Sequence, residues 1–188
     1  MHGHTGIEKS AADIPRLLLV GNPNVGKSVI FQLLTGQYAT VSNYPGTTVE
    51  LAYGTSRLHH EKHLVIDTPG VCNLVPYSED ERVTRDILLK EDVESVLQVA
   101  DAKNLARSLF ITLQLIEMDI PLILALNMSD EARERGIVID DAELSRRLQL
   151  PVVPTVATEK VGLSKLREAF MHPKRSRLGF NYGDMLER

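Results

Sequence analysis

The run Leu17-Leu18-Leu19-Val20, followed at once by Gly21-Asn22-Pro23-Asn24-Val25-Gly26-Lys27-Ser28, narrows the folds open to this chain more than any other feature. A short, wholly apolar run reads as a strand buried on both faces, as in the middle of a parallel sheet. The residues after it match G-x-x-x-x-G-K-[ST] in full, and helical periodicity starts at Lys27 and stops at Gly36. Strand, glycine-bearing loop and helix start aim backbone N–H groups and a helix N-terminus at one point, where an anion is stabilised. Residues 21 to 28 are therefore expected to cradle phosphate. Lys27 would supply charge to the outer phosphates and Ser28 a hydroxyl for Mg²⁺.

The rest of the chain keeps the alternation. Strands are expected at 49–58, 63–67, 96–100, 121–127 and 152–156, with 59–62 a polar turn. Helices are expected at 104–117, where Leu105, Leu109, Leu113 and Ile116 repeat at helical spacing, after a cap at Asp140, and at 163–170. This pattern predicts an α/β fold of three layers, a P-loop NTPase of the Ras-like G-domain type. Its sheet would be mostly parallel and six-stranded, with helices on both faces and ligands at the carboxyl ends of the strands.

Residues 1–14 read as a disordered tail, 15–171 as the G domain, and 172–188 as a basic linker leading into the start of a truncated helical region. No apolar run reaches about 18 residues, so no helix is expected to span a membrane. The net charge of −4 gives no electrostatic case for nucleic acid as a partner. The single cysteine, Cys72, excludes an internal disulfide and fits a reducing compartment. It is expected to pack as a small apolar side chain.

Asp67-Thr68-Pro69-Gly70 ends a strand, where a second acidic group is expected to hold Mg²⁺ through water. Gly70, lacking a Cβ, can approach the γ-phosphate. In Tyr44-Pro45-Gly46-Thr47-Thr48-Val49-Glu50 a hydroxyl can complete the Mg²⁺ shell when triphosphate is bound. Thr48 is chosen over Thr47 because it stands immediately before the strand. In Asn127-Met128-Ser129-Asp130 the Asp130 carboxylate can accept from guanine N1–H and the N2 amino group, a donor pair that adenine lacks. Asn127 would tie this loop to the phosphate loop and the base. Met128 stands where guanine-nucleotide sites usually carry a lysine (Asn-Lys-x-Asp), so one cation is missing and affinity in the micromolar range is expected. In Thr155-Val156-Ala157-Thr158 the backbone, Ala157 above all, is expected to meet guanine O6.

These motifs and the longer segments Asp101 to Glu117, Ala125 to Asp130 and Leu150 to Thr155 resemble the G domain of the ferrous iron transport protein B (FeoB) family over about 17–170. The resemblance implies a slow, potassium-stimulated GTPase that binds GTP, GDP and Mg²⁺ and regulates Fe(II) uptake. It implies a place on the cytoplasmic face of the bacterial inner membrane, and partners in a permease region outside this chain and in further copies of the full-length transporter. The present chain would be a soluble fragment. Asn24 matches the asparagine that ligates K⁺ in that family. Val71 stands where Ras-type proteins carry a water-orienting glutamine, so the resemblance implies that backbone groups of the segment 44–50 take over. Asp-Thr-Pro-Gly-Val-Cys departs from the commoner Asp-Leu-Pro-Gly-x-Tyr of the family. His59, His60 and His63 are read as solvated rather than as iron ligands. Two alternatives stay open: a nucleotide switch with negligible turnover, and a ribosome-assembly or tRNA-modification type GTPase.

Overall fold

The computed structural model describes residues 14–36, 39–58 and 61–179. The strands are β1 (Arg16–Gly21), β2 (Ala39–Asn43), β3 (Glu50–Leu58), β4 (Glu61–Asp67), β5 (Val93–Asp101), β6 (Leu122–Asn127) and β7 (Val152–Pro154). They form one sheet in the order β2-β3-β4-β1-β5-β6-β7. β1 pairs in parallel with β4 and β5, and β5, β6 and β7 continue in parallel. At the far edge β2 and β3 form an antiparallel hairpin, and β3 is antiparallel to β4.

The sheet thus has seven strands, not six. The additional strand, β2, has the sequence Ala-Thr-Val-Ser-Asn and is exposed at every position. An edge strand solvated on both faces carries neither the alternation nor the apolar run that marks a strand. β4 is longer than expected at its polar, amino-terminal end and β5 at both ends, while β7 stops at Pro154, short of the expected 152–156.

The helices are α1 (Lys27–Thr35), α2 (Glu79–Lys90), α3 (Leu105–Glu117), α4 (Ser129–Glu134), α5 (Asp141–Leu148) and α6 (Leu163–Ala169). Successive residues of β1 point to opposite faces. Leu18 and Val20 join a core with Val83 and Ile87 of α2 and Ile111 and Leu115 of α3. Leu17 and Leu19 join a second core with Ile30 and Phe31 of α1 and Leu166 of α6. Both faces of β1 are therefore dry, and the fold is three-layered.

α5 starts where expected, with the Asp140 carboxylate accepting from the Glu143 N–H at 2.8 Å. α2 is capped by a reciprocal pair: Ser78 Oγ accepts from the Glu81 N–H, and the Glu81 carboxylate accepts from the Ser78 N–H. Beyond α6 the chain runs back along the sheet, where the Leu122 N–H donates to the Lys174 carbonyl at 2.9 Å. Among the described residues no helix is long and apolar enough to cross a membrane. The tail 1–13 and the segment 180–188 lie outside the described residues.

Candidate functional site

The carboxyl ends of β1, β4, β5, β6 and β7 lie side by side, because the register pairs Leu19 with Asp67, Gly21 with Val99, Asp101 with Asn127, and Leu126 with Pro154. The loops that leave these ends carry nearly every residue singled out from the sequence.

The loop after β1 turns through Asn24 (φ 63°) and Gly26 (φ 83°) into α1. Glycine at 26 is needed twice over. Its φ is one that side chains avoid, and a Cβ there would lie 2.3 Å from Asn127 Nδ2. Gly70 is required for a similar reason, since a Cβ would lie 2.7 Å from the Pro23 Cα. The glycine after β4 is thereby seated directly on the loop after β1.

Lys27 and Asp67 are buried beside each other. Lys27 Nζ donates to Asp67 Oδ1 and to the Thr68 carbonyl. Ser28 Oγ donates to the other carboxylate oxygen, Asp67 Oδ2, at 2.9 Å. Hydroxyl and carboxylate together are a hard, oxygen-only donor set, which suits Mg²⁺ with its retained waters. The structure thus brings Lys27, Ser28 and Asp67 together.

Thr48 stands apart from them. Its exposed hydroxyl donates to Glu79 Oε2 at 3.3 Å, at the start of α2. Thr47 is engaged in its own turn, with its hydroxyl donating to the Tyr44 carbonyl at 2.9 Å and accepting from the Val49 N–H at 3.2 Å. Of the two threonines, only Thr48 has its hydroxyl outside the turn.

Asn127 joins three loops. Its Nδ2 donates to the Val25 carbonyl at 2.9 Å, and its Oδ1 accepts from Thr155 Oγ1 at 3.2 Å and the Ala157 N–H at 3.0 Å. The Ala157 N–H, expected to face a base, is thus directed at Asn127. Val156 and Ala157 are buried and Thr158 is exposed. Met128 adopts a left-handed conformation (φ 60°), and Asp130 follows, half-exposed, in the first turn of α4.

Val71 is 1% exposed; its N–H donates to the Gly21 carbonyl and its own carbonyl accepts from Asn22 Nδ2. Its side chain belongs to the core, well removed from any water-positioning role. Cys72 is a correction: it is exposed rather than packed, and Arg107 Nη2 donates to its sulfur at 3.1 Å. The chain turns there with Val71 inward, so the next side chain points out.

Glu81 was not singled out from the sequence, although Ser78-x-x-Glu81 is a capping signature. The Tyr77 N–H, first, and then those of Ser78 and Cys72 hydrogen-bond its carboxylate and hold it below the ordinary glutamate range, against the opposing effect of burial. This carboxylate fastens the segment after Gly70 to α2. Lys103 was also missed. It leaves the end of β5, and its ammonium donates to Met128 Sδ at 3.1 Å and Glu131 Oε2 at 2.6 Å. No sequence spacing could link positions 103 and 128; the strand register does.

Of the histidines, His63 Nε2 lies 3.3 Å from Glu94 Oε2, while His59 and His60 lie outside the described residues. Among the described residues no three His, Cys, Asp or Glu side chains cluster as a metal site.

A family model described as ferrous iron transport protein B matches residues 15–170. The chain belongs to the FeoB family. Curated relatives include the Fe(2+) transport protein A/Fe(2+) transporter FeoB fusion protein of Porphyromonas gingivalis, 40% identical over 186 residues, 95% of this chain and 22% of that protein. The Fe(2+) transporter FeoB of Staphylococcus aureus is 37% identical over 90% of this chain and 26% of its own length. The chain thus spans about a quarter of the relatives it matches.

Solved FeoB structures share the fold. A mutant NFeoB of S. thermophilus bound to GDP is 39% identical with a TM-score of 0.81, over 89% of this chain and 65% of that one. The apo cytosolic domain of T. maritima FeoB is 38% identical with a TM-score of 0.84, over 93% and 70%. The T. maritima FeoB G domain is 39% identical with a TM-score of 0.79, over 84% and 97%.

Proposed function

We propose that this chain is the guanine-nucleotide-binding unit of a ferrous iron transporter, and that it hydrolyses GTP to GDP and phosphate slowly, with stimulation by K⁺. The carrying observation is Asn127. One side chain fixes the Asp130 loop against both the phosphate loop and the last loop, so phosphate and base recognition share one rigid frame. The FeoB relatives, one of them solved with GDP, support guanine as the base.

In this reading Lys27 exchanges Asp67 and the Thr68 carbonyl for phosphate oxygens, and the backbone amides of 21–28 take the remaining charge. Asp130 would accept from the guanine edge, beside Met128 and the exposed Thr158, with Val156 and Ala157 shaping the loop. Ser28 and Asp67 would hold Mg²⁺, and Thr48 would join them by leaving Glu79 when triphosphate is bound. Gly70 leaves room for the γ-phosphate against Pro23. Asn24 would hold K⁺, and the two cations, when bound, would supply positive charge that offsets the charge developing in the transition state. Water attacks the γ-phosphorus and the bond to the β–γ bridging oxygen breaks, with backbone groups of 44–50 placing that water. In the full-length protein the unit would act at the cytoplasmic face of the bacterial inner membrane, on a permease region of the same polypeptide and in further copies of the transporter.

A second reading, a switch that reports bound nucleotide with negligible turnover, draws on the burial of Val71 and on Thr48 facing Glu79. Phosphate release from GTP and ATP in KCl, beside calorimetry with both nucleotides and Mg²⁺, tests the proposal. Preferential GDP and GTP binding with K⁺-dependent release is expected. ATP held as tightly as GTP would sink it, and tight GTP binding without release would select the switch.

A further inference from the structure

Position 128 has no cation of its own, but the fold places one against it. β5 and β6 are parallel neighbours with Asp101 opposite Asn127. Beyond Asp101 the chain makes a short 3-10 turn at Ala102–Asn104, held by Asp101 Oδ1 accepting from the Lys103 N–H at 2.9 Å and by Asn104 Nδ2 donating to Asp101 Oδ2 at 3.0 Å. The Lys103 side chain is then laid along the Asn127–Asp130 loop and is only 12% exposed. Its ammonium lies 3.1 Å from Met128 Sδ, 2.6 Å from Glu131 Oε2 and 4.0 Å from Asp101 Oδ1.

A thioether sulfur is a weak acceptor, so the bond to Met128 contributes little by itself. What matters is where the charge sits. Met128 is a non-glycine residue in the left-handed region, a strained conformation that persists only where neighbours hold it. Asn127 holds it from the phosphate-loop side and Lys103 from the other. Glu131, which grips the ammonium, directly follows Asp130. The ammonium also offsets the mutual repulsion of the Asp101 and Glu131 carboxylates, both of which it faces.

Resting on the functional reading above, we infer that Lys103 is the positioning residue of the base-recognition loop, supplying from the end of β5 the cation that guanine sites usually carry at position 128. Positions 103 and 128 are then alternatives. A lysine at 128 beside Lys103 would set two ammonium groups together at a largely desolvated point. Removing the first would make room for the second.

The test is a double-mutant cycle of Lys103→Met and Met128→Lys, read as affinity for GDP and for inosine diphosphate, which lacks the 2-amino group. Each single variant is expected to lose about tenfold in GDP affinity, and the double variant to return within about threefold of wild type. Discrimination between GDP and the inosine nucleotide should fall in Lys103→Met, because it depends on where Asp130 stands. Glu131→Gln, which leaves the side chain's size unchanged, should lose in the same direction. Thermal melts of all the variants separate folding defects from loop defects. Additive losses with the double variant weakest, tighter GDP binding by Met128→Lys alone, or unchanged affinity and discrimination in Lys103→Met would each overturn the inference. A wild-type protein that binds no GDP would overturn the functional reading as well; binding with Lys103→Met unaffected would overturn this inference alone.

Discussion

Lys27 Nζ and the Asp67 carboxylate form an ion pair across the phosphate loop and the loop after β4, with each side chain 9% exposed. The two groups proposed to meet phosphate and Mg²⁺ are therefore bonded to each other. In that reading nucleotide binding would replace the pair and not fill a preset gap. A buried pair loses about 3–5 kcal/mol when one member is removed, because the other is left charged and desolvated. In chelator and without nucleotide, Lys27→Met and Asp67→Asn should each lower the urea midpoint by a stability of that order, and Lys27→Met/Asp67→Leu should recover most of it. All three should lose nucleotide binding. Single variants as stable as wild type would show the pair to be energetically idle.

In the proposed reading Asp130 selects the base. Its carboxylate would accept from two donors of guanine; an amide in its place offers an acceptor oxygen and an NH₂ donor group, which suit the N1–H and 2-oxo group of xanthine. Asp130→Asn should weaken GDP binding by about 10- to 100-fold and strengthen binding of xanthosine diphosphate, measured by competition against a fluorescent nucleotide. Equal loss for both nucleotides would mean that the loop had collapsed and not changed its preference.

What could be read from the sequence follows physical lines. β1 and β6 are apolar on both faces, and the apolar periodicity of α3 is regular, so these elements show themselves. β2 is solvated throughout, and α2 opens on Glu79-Asp80-Glu81-Arg82, which masks the sparse apolar stripe of Val83 and Ile87. The motif residues follow from chemistry local in sequence: Gly26 and Lys27 stand where the loop after β1 opens α1, and Asp67 and Asn127 each end a strand. The partners of those residues do not. That Lys103 meets Met128, that Thr48 meets Glu79, and that Cys72 faces solvent beside Arg107 depend on strand order and loop packing, which leave no trace in spacing along the chain.

Glu81 predicts a pH signature. Hydrogen bonds from the Tyr77, Ser78 and Cys72 N–H groups hold its folded carboxylate below the ordinary value of 4.5. A depressed carboxylate contributes stability that is fully present above its unfolded value and is lost as pH falls through the folded one. Glu81→Gln should therefore cost about 1 kcal/mol at neutral pH, the difference between hydrogen bonds to a charged acceptor (about 1.5–3 kcal/mol) and to a neutral one (about 0.5–1.5 kcal/mol). The gap from wild type should begin to close below about pH 4.5 and vanish once Glu81 is protonated in the fold. A gap constant between pH 7 and pH 3 would show that the effect is one of packing.

Asn24 and Val71 together predict the salt dependence of turnover. Val71 is committed to the core and cannot orient water, and its backbone is bound to Gly21 and Asn22, which fixes the loop. Asn24 is exposed, with its backbone turned to φ 63° at the outer rim of the phosphate loop. In the proposed reading extra positive charge at the transition state would come from a cation held at that rim; an arginine in that role contributes about 10³–10⁵ in rate. At matched ionic strength, phosphate release in KCl should exceed that in NaCl by about tenfold or more, a modest share of that range. Asn24→Ala should remove the difference while keeping GDP affinity within a few-fold, since the amide cradle and Asp130 are untouched. Equal rates in the two salts for the wild-type protein, or K⁺ stimulation that survives in Asn24→Ala, would place the catalytic charge elsewhere. The obvious place to look would then be the Thr48 segment, whose hydroxyl is turned to Glu79.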